Sequence, residues 1–137
     1  MNITIKIPFK PVACARPRVT RFGTYYPPAY KAFKKDVCEW LRENCNFQII
    51  SKTPLHVDYE FIFARQKKHT VSKYGSGRIH KITRPDLDNY VKAVNDVIQD
   101  AGVILDDSHI VSMSASKAFG TPEEEDSINV KITMLSN

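Results

Sequence analysis

Apolar and polar residues alternate along the first segment of the chain, with Ile3, Ile5 and Ile7 set between polar neighbours. That period of two predicts a strand over residues 2–7, closed by Pro8 and Pro11. A stretch rich in Pro, Arg and Gly then runs to about Pro28, and Pro27-Pro28 suits a helix entrance. From Ala29 to about Asn44 the spacing changes to helical, with Tyr30, Phe33, Val37, Trp40 and Leu41 forming an apolar stripe and Lys34, Lys35 and Glu39 outside it. The stripe reads as core. Strand alternation returns in Leu55, Val57, Tyr59, Phe61 and Phe63. The segment 66–83 has no apolar periodicity, carries Gly75-Ser76-Gly77, and is expected to be a mobile basic loop. A second helix, starting near Asp88 and ending at Gly102, follows from Leu87, Val91, Val94 and Ile98. Val103-Ile104-Leu105 is a short apolar segment, Val111, Met113 and Ala115 mark a third strand, and Ile128, Val130, Ile132 and Met134 a fourth. The order β-α-β-α-β-β predicts an α+β fold: a two-layer sandwich with a small mixed sheet of about four strands and two helices on one face.

Composition agrees with one domain over residues 1–137: the chain is 42% hydrophobic, enough for a single core. No run of about 18 apolar residues occurs, so no membrane span is expected. The N-terminus lacks the apolar core of a signal peptide, which makes cytoplasmic residence the expectation. Cys14, Cys38 and Cys45 are odd in number and form no C-x-x-C pair, so neither a disulfide framework nor a zinc site is expected. The four histidines (His56, His69, His80, His109) are scattered.

Charge changes the picture more. The net charge is +5, yet no Asp or Glu precedes Asp36, while Lys6, Lys10, Arg16, Arg18, Arg21, Lys31, Lys34 and Lys35 do. A second acid-free stretch, from Phe61 to Pro85, holds Arg65, Lys67, Lys68, Lys73, Arg78, Lys81 and Arg84. From Asp86 onward lie 10 of the 15 acids. Basic charge gathered on such segments around an acidic cluster is the electrostatic footprint of a nucleic-acid binder. Arg16, Arg18, Arg21, Arg65, Lys67, Lys68, Lys73, Arg78, Lys81 and Arg84 are the candidate DNA contacts.

The acids themselves are grouped. In Arg84-Pro85-Asp86-Leu87-Asp88-Asn89 two carboxylates bracket one apolar residue, so in an extended approach both point to one side while Leu87 points inward. Helix geometry puts Asp88, Lys92 and Asn95 on one face, opposite the apolar stripe. Asp106-Asp107 follow the apolar segment and join the first pair only if that segment packs beside the helix start. Capping explains one Asp before a helix but not two, and Asp106-Asp107-Ser108 alone could be a plain turn. Together the acids suggest a site for a hard divalent ion such as Mg²⁺, which prefers oxygen ligands and takes only one or two carboxylates. Two such ions about 4 Å apart can activate water and stabilise both the attacking and the leaving oxygen of a phosphodiester. Lys92 could meet the phosphate as a point charge, or merely pair with Asp88 or Asp96.

At these residues the sequence resembles the RusA family of Holliday junction resolvases. The shared pattern is a basic residue (Arg84), Asp86-Leu87-Asp88-Asn89, Lys92, Gly102 and Leu105-Asp106-Asp107. The resemblance extends over nearly the whole chain. It implies a homodimeric endodeoxyribonuclease that resolves four-way junctions by paired symmetric nicks in DNA recombination and repair, often in prophages. It implies Mg²⁺ as cofactor, with Mn²⁺ able to substitute, and no organic cofactor. By motif position it implies Asp86, Asp88 and Asp107 as catalytic metal-binding carboxylates, Asp106 as a further metal-binding neighbour, and Lys92 as the essential lysine. The chain departs from the pattern in its basic insert, roughly Lys67 to Thr83, and in Arg16-Pro17-Arg18. The alternatives are a related nuclease of forks or flaps, and a non-catalytic DNA-binding protein whose acids only cap and turn.

Overall fold

The computed structural model describes residues 1–136. In chain order the elements are β1 (Asn2–Ile7), β2 (Arg18–Thr20), β3 (Gly23–Tyr25), α1 (Pro28–Asn44), β4 (Leu55–Phe63), the single turn α2 (Val71–Tyr74), β5 (Ile79–His80), α3 (Leu87–Asp100), β6 (Ile110–Phe119) and β7 (Ser127–Met134). The main sheet has the order β1-β7-β4-β6-β5, while β2 and β3 form a two-stranded sheet of their own. Within the main sheet β4 pairs antiparallel with β7 and parallel with β6, as the mixed architecture predicts.

Strand alternation decides which face is covered. Ile3, Ile5 and Ile7, then Val57, Tyr59 and Phe61, then Ile128, Val130 and Ile132 form one buried layer. Against it α1 sets Tyr30, Phe33, Val37 and Leu41, and α3 sets Tyr90, Val91, Val94, Val97 and Ile98. Each fully buried aliphatic or aromatic side chain contributes about 1.5–3 kcal/mol. The helices therefore hold the sheet from one side only. The other face is polar and open: His56 bonds Ser112 through Nδ1 (2.7 Å) and Asp58 through Nε2 (2.9 Å), and Asn129 donates to Glu60 (2.8 Å).

The structure adds elements that the periodicity does not predict. The sheet has five strands rather than four, because β5 pairs with the end of β6 through Ile79–Phe119 and His80–Ala118. The Pro/Arg/Gly-rich stretch contains the β2–β3 hairpin, every residue of which is exposed. The segment 66–83 has internal structure despite its lack of periodicity. Arg65 donates to the carbonyls of Gly120 (3.0 Å), His69 (3.1 Å), Gly75 (2.7 Å) and Gly77 (2.7 Å). The buried His69 ring lies 4.3 Å from Phe119, centroid to centroid. Arg78 grips Glu124 with two nitrogens (2.9 and 2.7 Å) and Glu60 with the third (2.8 Å). Such bidentate pairs are stronger than lone surface ion pairs. Arg78 holds the Glu124 carboxyl down at about 2, well below its ordinary value. Because the folded value is depressed, this contribution is present above the unfolded carboxyl range and is lost as pH falls toward 2.

One prediction follows. Arg65→Ala should lower stability by about 2 kcal/mol, since it strips four carbonyls of a charged donor and one of them, on Gly120, is buried. Denaturant unfolding checks it, and an unchanged midpoint would show that the arginine is not what ties the segment down.

Candidate active site and DNA-facing surface

Leu87–Asp100 is helical because Val91, Val94, Val97 and Ile98 must all reach the sheet, and Asp86 stands at the position before the first turn. Its side chain nevertheless makes no capping hydrogen bond. Asp86 and Asp88 are both exposed, and neither forms an ion pair among the described residues. The positive end of the α3 dipole stabilises two such carboxylates side by side. Lys92, one turn on, is exposed as well and pairs with neither Asp88 nor Asp96. Asp96 instead accepts from Tyr30 Oη at 2.6 Å. Burial first, and Asp96 second, push that phenol far above its ordinary value.

The loop that delivers Asp86 is fastened from below by a residue the sequence reading passed over. Lys117 Nζ donates to the carbonyls of Thr83 (2.8 Å) and Pro85 (2.7 Å). Lys81 Nζ reaches the carbonyls of Thr83 (3.4 Å) and Arg84 (3.1 Å) and the Thr83 hydroxyl (2.9 Å), over the rings of Phe63 and Phe119. Burial, then the like charges of Lys117 and Lys10, hold the Lys81 ammonium below the usual lysine range. The signal for Lys117 is a break in alternation: Met113, Ala115, Lys117 and Phe119 share the helix side of β6, and one of the four is charged.

The second acid pair lies elsewhere, which corrects the expectation that Val103–Leu105 packs beside the helix start. Val103 and Ile104 are buried, and both amides bond back to the Ile98 carbonyl (2.9 and 3.3 Å), at the end of α3. Gly102, at φ +81°, makes that reversal possible. The Asp107 amide consequently donates to Gln99 Oε1 at 2.8 Å. Gln99 stands eleven residues after Asp88, about 16 Å along the helix axis. The ends of β6 give the same answer, since Asp107 precedes its first residue and Lys117, which holds the Asp86 loop, lies near its last. Among the described residues no group of three His, Cys, Asp or Glu could hold a metal ion.

Asp106 and Asp107 also differ from one another. The Asp106 carboxylate accepts the Ser108 amide (2.8 Å) and caps the 3₁₀ turn Asp107–His109, and those bonds hold its carboxyl below the ordinary range. Turn chemistry thus accounts for Asp106. The Asp107 carboxylate is exposed, and its charge reaches Tyr59. Burial first raises the Tyr59 phenol, the hydrogen bond to Asn95 opposes this, and Asp107 adds to the rise.

The basic residues divide by partner. Arg65, Arg78 and Lys81 are engaged by partners within the chain, Arg78 at the surface. Arg16, Arg18, Arg21, Lys67, Lys68, Lys73 and Arg84 are exposed. Arg16 and Lys92 line one cleft of about 450 Å³ together with Lys34, Asn89, Asp96 and Asp100. The Cys14 amide, bonded to the Asn89 carbonyl at 2.9 Å, pins that wall to the first turn of α3. Cys14, Cys38 and Cys45 are free, and among the described residues no helix is long and apolar enough to cross a membrane.

Uncharacterized protein YqaN of Bacillus subtilis (strain 168) is 29% identical over 135 residues, covering 93% of this chain and 92% of its own. The family model described as endodeoxyribonuclease RusA matches residues 8–133, a span that includes both acid pairs, Lys92 and the hairpin. The chain belongs to the RusA endodeoxyribonuclease family.

Proposed function

We propose that the protein is a homodimeric, Mg²⁺-dependent endonuclease that resolves Holliday junctions in DNA recombination and repair, with Mn²⁺ able to replace Mg²⁺. The observation that carries this is the pair of exposed, uncapped carboxylates at Asp86 and Asp88, one turn from Lys92, all three without an ion pair among the described residues. Two carboxylates are as many as one Mg²⁺ takes, so the donor set fits. When bound, the ion would lower the pKa of a coordinated water and draw charge off the phosphate oxygens. Lys92 places a compact positive charge where negative charge develops, and the Lys117 bonds fix the loop from which Asp86 projects. Arg16, with the exposed arginines and lysines, holds the phosphate backbone.

The separation of Asp107 from Asp86 and Asp88 supports a two-copy site. Among the described residues the edge of β6 opposite β4 is unpaired from Ile110 to Ser116, since β5 covers only its end. No proline or charge interrupts those seven residues, so nothing blunts the edge. Antiparallel pairing with the same edge of a second copy would carry the second copy's Asp107 toward the end of β6 where Lys117 holds the Asp86 loop. A two-fold dimer would also match the two symmetric nicks that resolution needs.

Cleavage rates on a four-way junction, a fork, a flap and linear duplex, with and without Mg²⁺, test the substrate. Mg²⁺-dependent cutting fastest on the junction is expected, and faster cutting of forks or flaps would replace that reading with the related one. Lys67→Ala or Arg18→Ala should weaken binding to every sequence and make the salt slope shallower by about one counterion. A loss confined to one base sequence would contradict the phosphate role.

A further inference from the structure

The β2–β3 hairpin projects an aromatic side chain that the fold does not use. Among the described residues it pairs only with itself, and its turn, Arg21-Phe22, leaves Phe22 87% exposed and Val19 80% exposed. The turn is stapled rather than loose: the Thr20 hydroxyl accepts from the Phe22 amide (3.2 Å) and donates to the Gly23 carbonyl (3.2 Å). Gly23, at φ +127°, takes a backbone conformation that side chains disfavour. Arg21 lies over the Phe22 ring at 4.9 Å, and Arg18 and Arg16 follow toward the body. At the base of the hairpin the Cys14–Asn89 bond and the Arg16–Lys92 cleft join it to the α3 turn that carries Asp88.

A single exposed apolar residue on a surface is ordinary. Here it caps a hydrogen-bonded hairpin bearing Arg18 and Arg21, with Arg16 at its base, within the 35 residues that precede the first acid. Its surroundings therefore attract a polyanion, and its ring offers a flat apolar face. Inside a duplex every base face is already stacked. A branch point opened from its stacked form exposes base faces, and an aromatic side chain stacking on one contributes about 1–3 kcal/mol.

Resting on the junction-nuclease reading, we propose that Phe22 is a positioning wedge that stacks on an exposed base at the branch point, while Arg18 and Arg21 hold the adjoining phosphates. The wedge makes the branch, rather than a base sequence, the landmark that sets Asp88 and Lys92 beside the strand to be cut.

The test uses the full chain in Ca²⁺, with binding to a four-way junction and to linear duplex of the same sequence, and with a fluorescent adenine analogue at the branch. Phe22→Ala is expected to lower junction affinity about tenfold and duplex affinity by less than about twofold, and to abolish the fluorescence change at the branch. Phe22→Trp should restore both. Equal losses on junction and duplex, no loss on either, or a wild type that binds both alike would overturn the wedge. Phe22-dependent binding to anionic phospholipid vesicles without any Phe22-dependent DNA effect would overturn it in favour of a lipid surface. Mg²⁺-dependent cleavage by the wild type and its loss in Asp88→Asn report on the nuclease reading separately. A chain that cuts junctions but shows no Phe22 effect keeps that reading and loses the wedge.

Discussion

Asp88→Asn is expected to reduce Mg²⁺-dependent cleavage of a four-way junction on the order of 10²–10³-fold, the range seen when one preorganised electrostatic group is removed from a transition state. The substitution keeps the shape of the side chain and removes only its charge. Asp88 is exposed and makes no ion pair within the described residues, so the fold loses only its interaction with the α3 dipole, about 0.3–1 kcal/mol. Junction binding, measured without Mg²⁺, should be unchanged or tighter, because one carboxylate no longer repels the phosphates. Asp86→Asn should behave alike. Asp106→Asn should not, since its carboxylate already caps a turn through the Ser108 amide and the amide oxygen of Asn can accept the same bond. Single-turnover cleavage and fluorescence anisotropy on the same preparations separate the two quantities. Undiminished cutting by Asp88→Asn would make the acids structural and leave a DNA-binding protein.

What the sequence disclosed about the fold follows from burial. β1, β4, β7, α1 and α3 each bury one face, and each leaves its period in the apolar residues. The hairpin buries nothing, so Arg18–Tyr25 carries no period to read. The order in 66–83 comes from Arg65, Arg78 and the His69 ring bonding to carbonyls, carboxylates and an aromatic face, and hydrogen bonds to backbone leave no spacing in the sequence. Lys117 was missed for a related reason: a lysine in a strand reads as solvent-facing until its register beside Phe61 is known.

The chemistry of the site was legible in kind but not in place. Two carboxylates before one helix exceed what capping requires, and the structure leaves both of them free. The apolarity of Val103–Leu105 matches the burial of Val103 and Ile104 but not the exposed Leu105, and it does not say at which end of α3 the segment packs. Charge alone also could not divide the arginines. Arg65 and Arg78 look like Arg16 and Arg18 in sequence, yet their donors are taken up by carbonyls and carboxylates of the chain itself, even though Arg78 remains exposed.

A site that takes Asp86 and Asp88 from one copy and Asp107 from another makes a demanding prediction for mixed dimers. Alone, Asp88→Asn and Asp107→Asn dimers should each be inactive, because every site in either contains one neutralised carboxylate. In a dimer with one chain of each kind, both lesions fall in the same site and the other site keeps all three acids. Co-expressed under two affinity tags and purified through both, that mixed dimer should nick a four-way junction in Mg²⁺ on one strand without resolving it. Strand-specific end labels read the nick directly. A mixed dimer as inactive as its two parents, while the wild type purified identically cuts both strands, would contradict a site assembled across two copies.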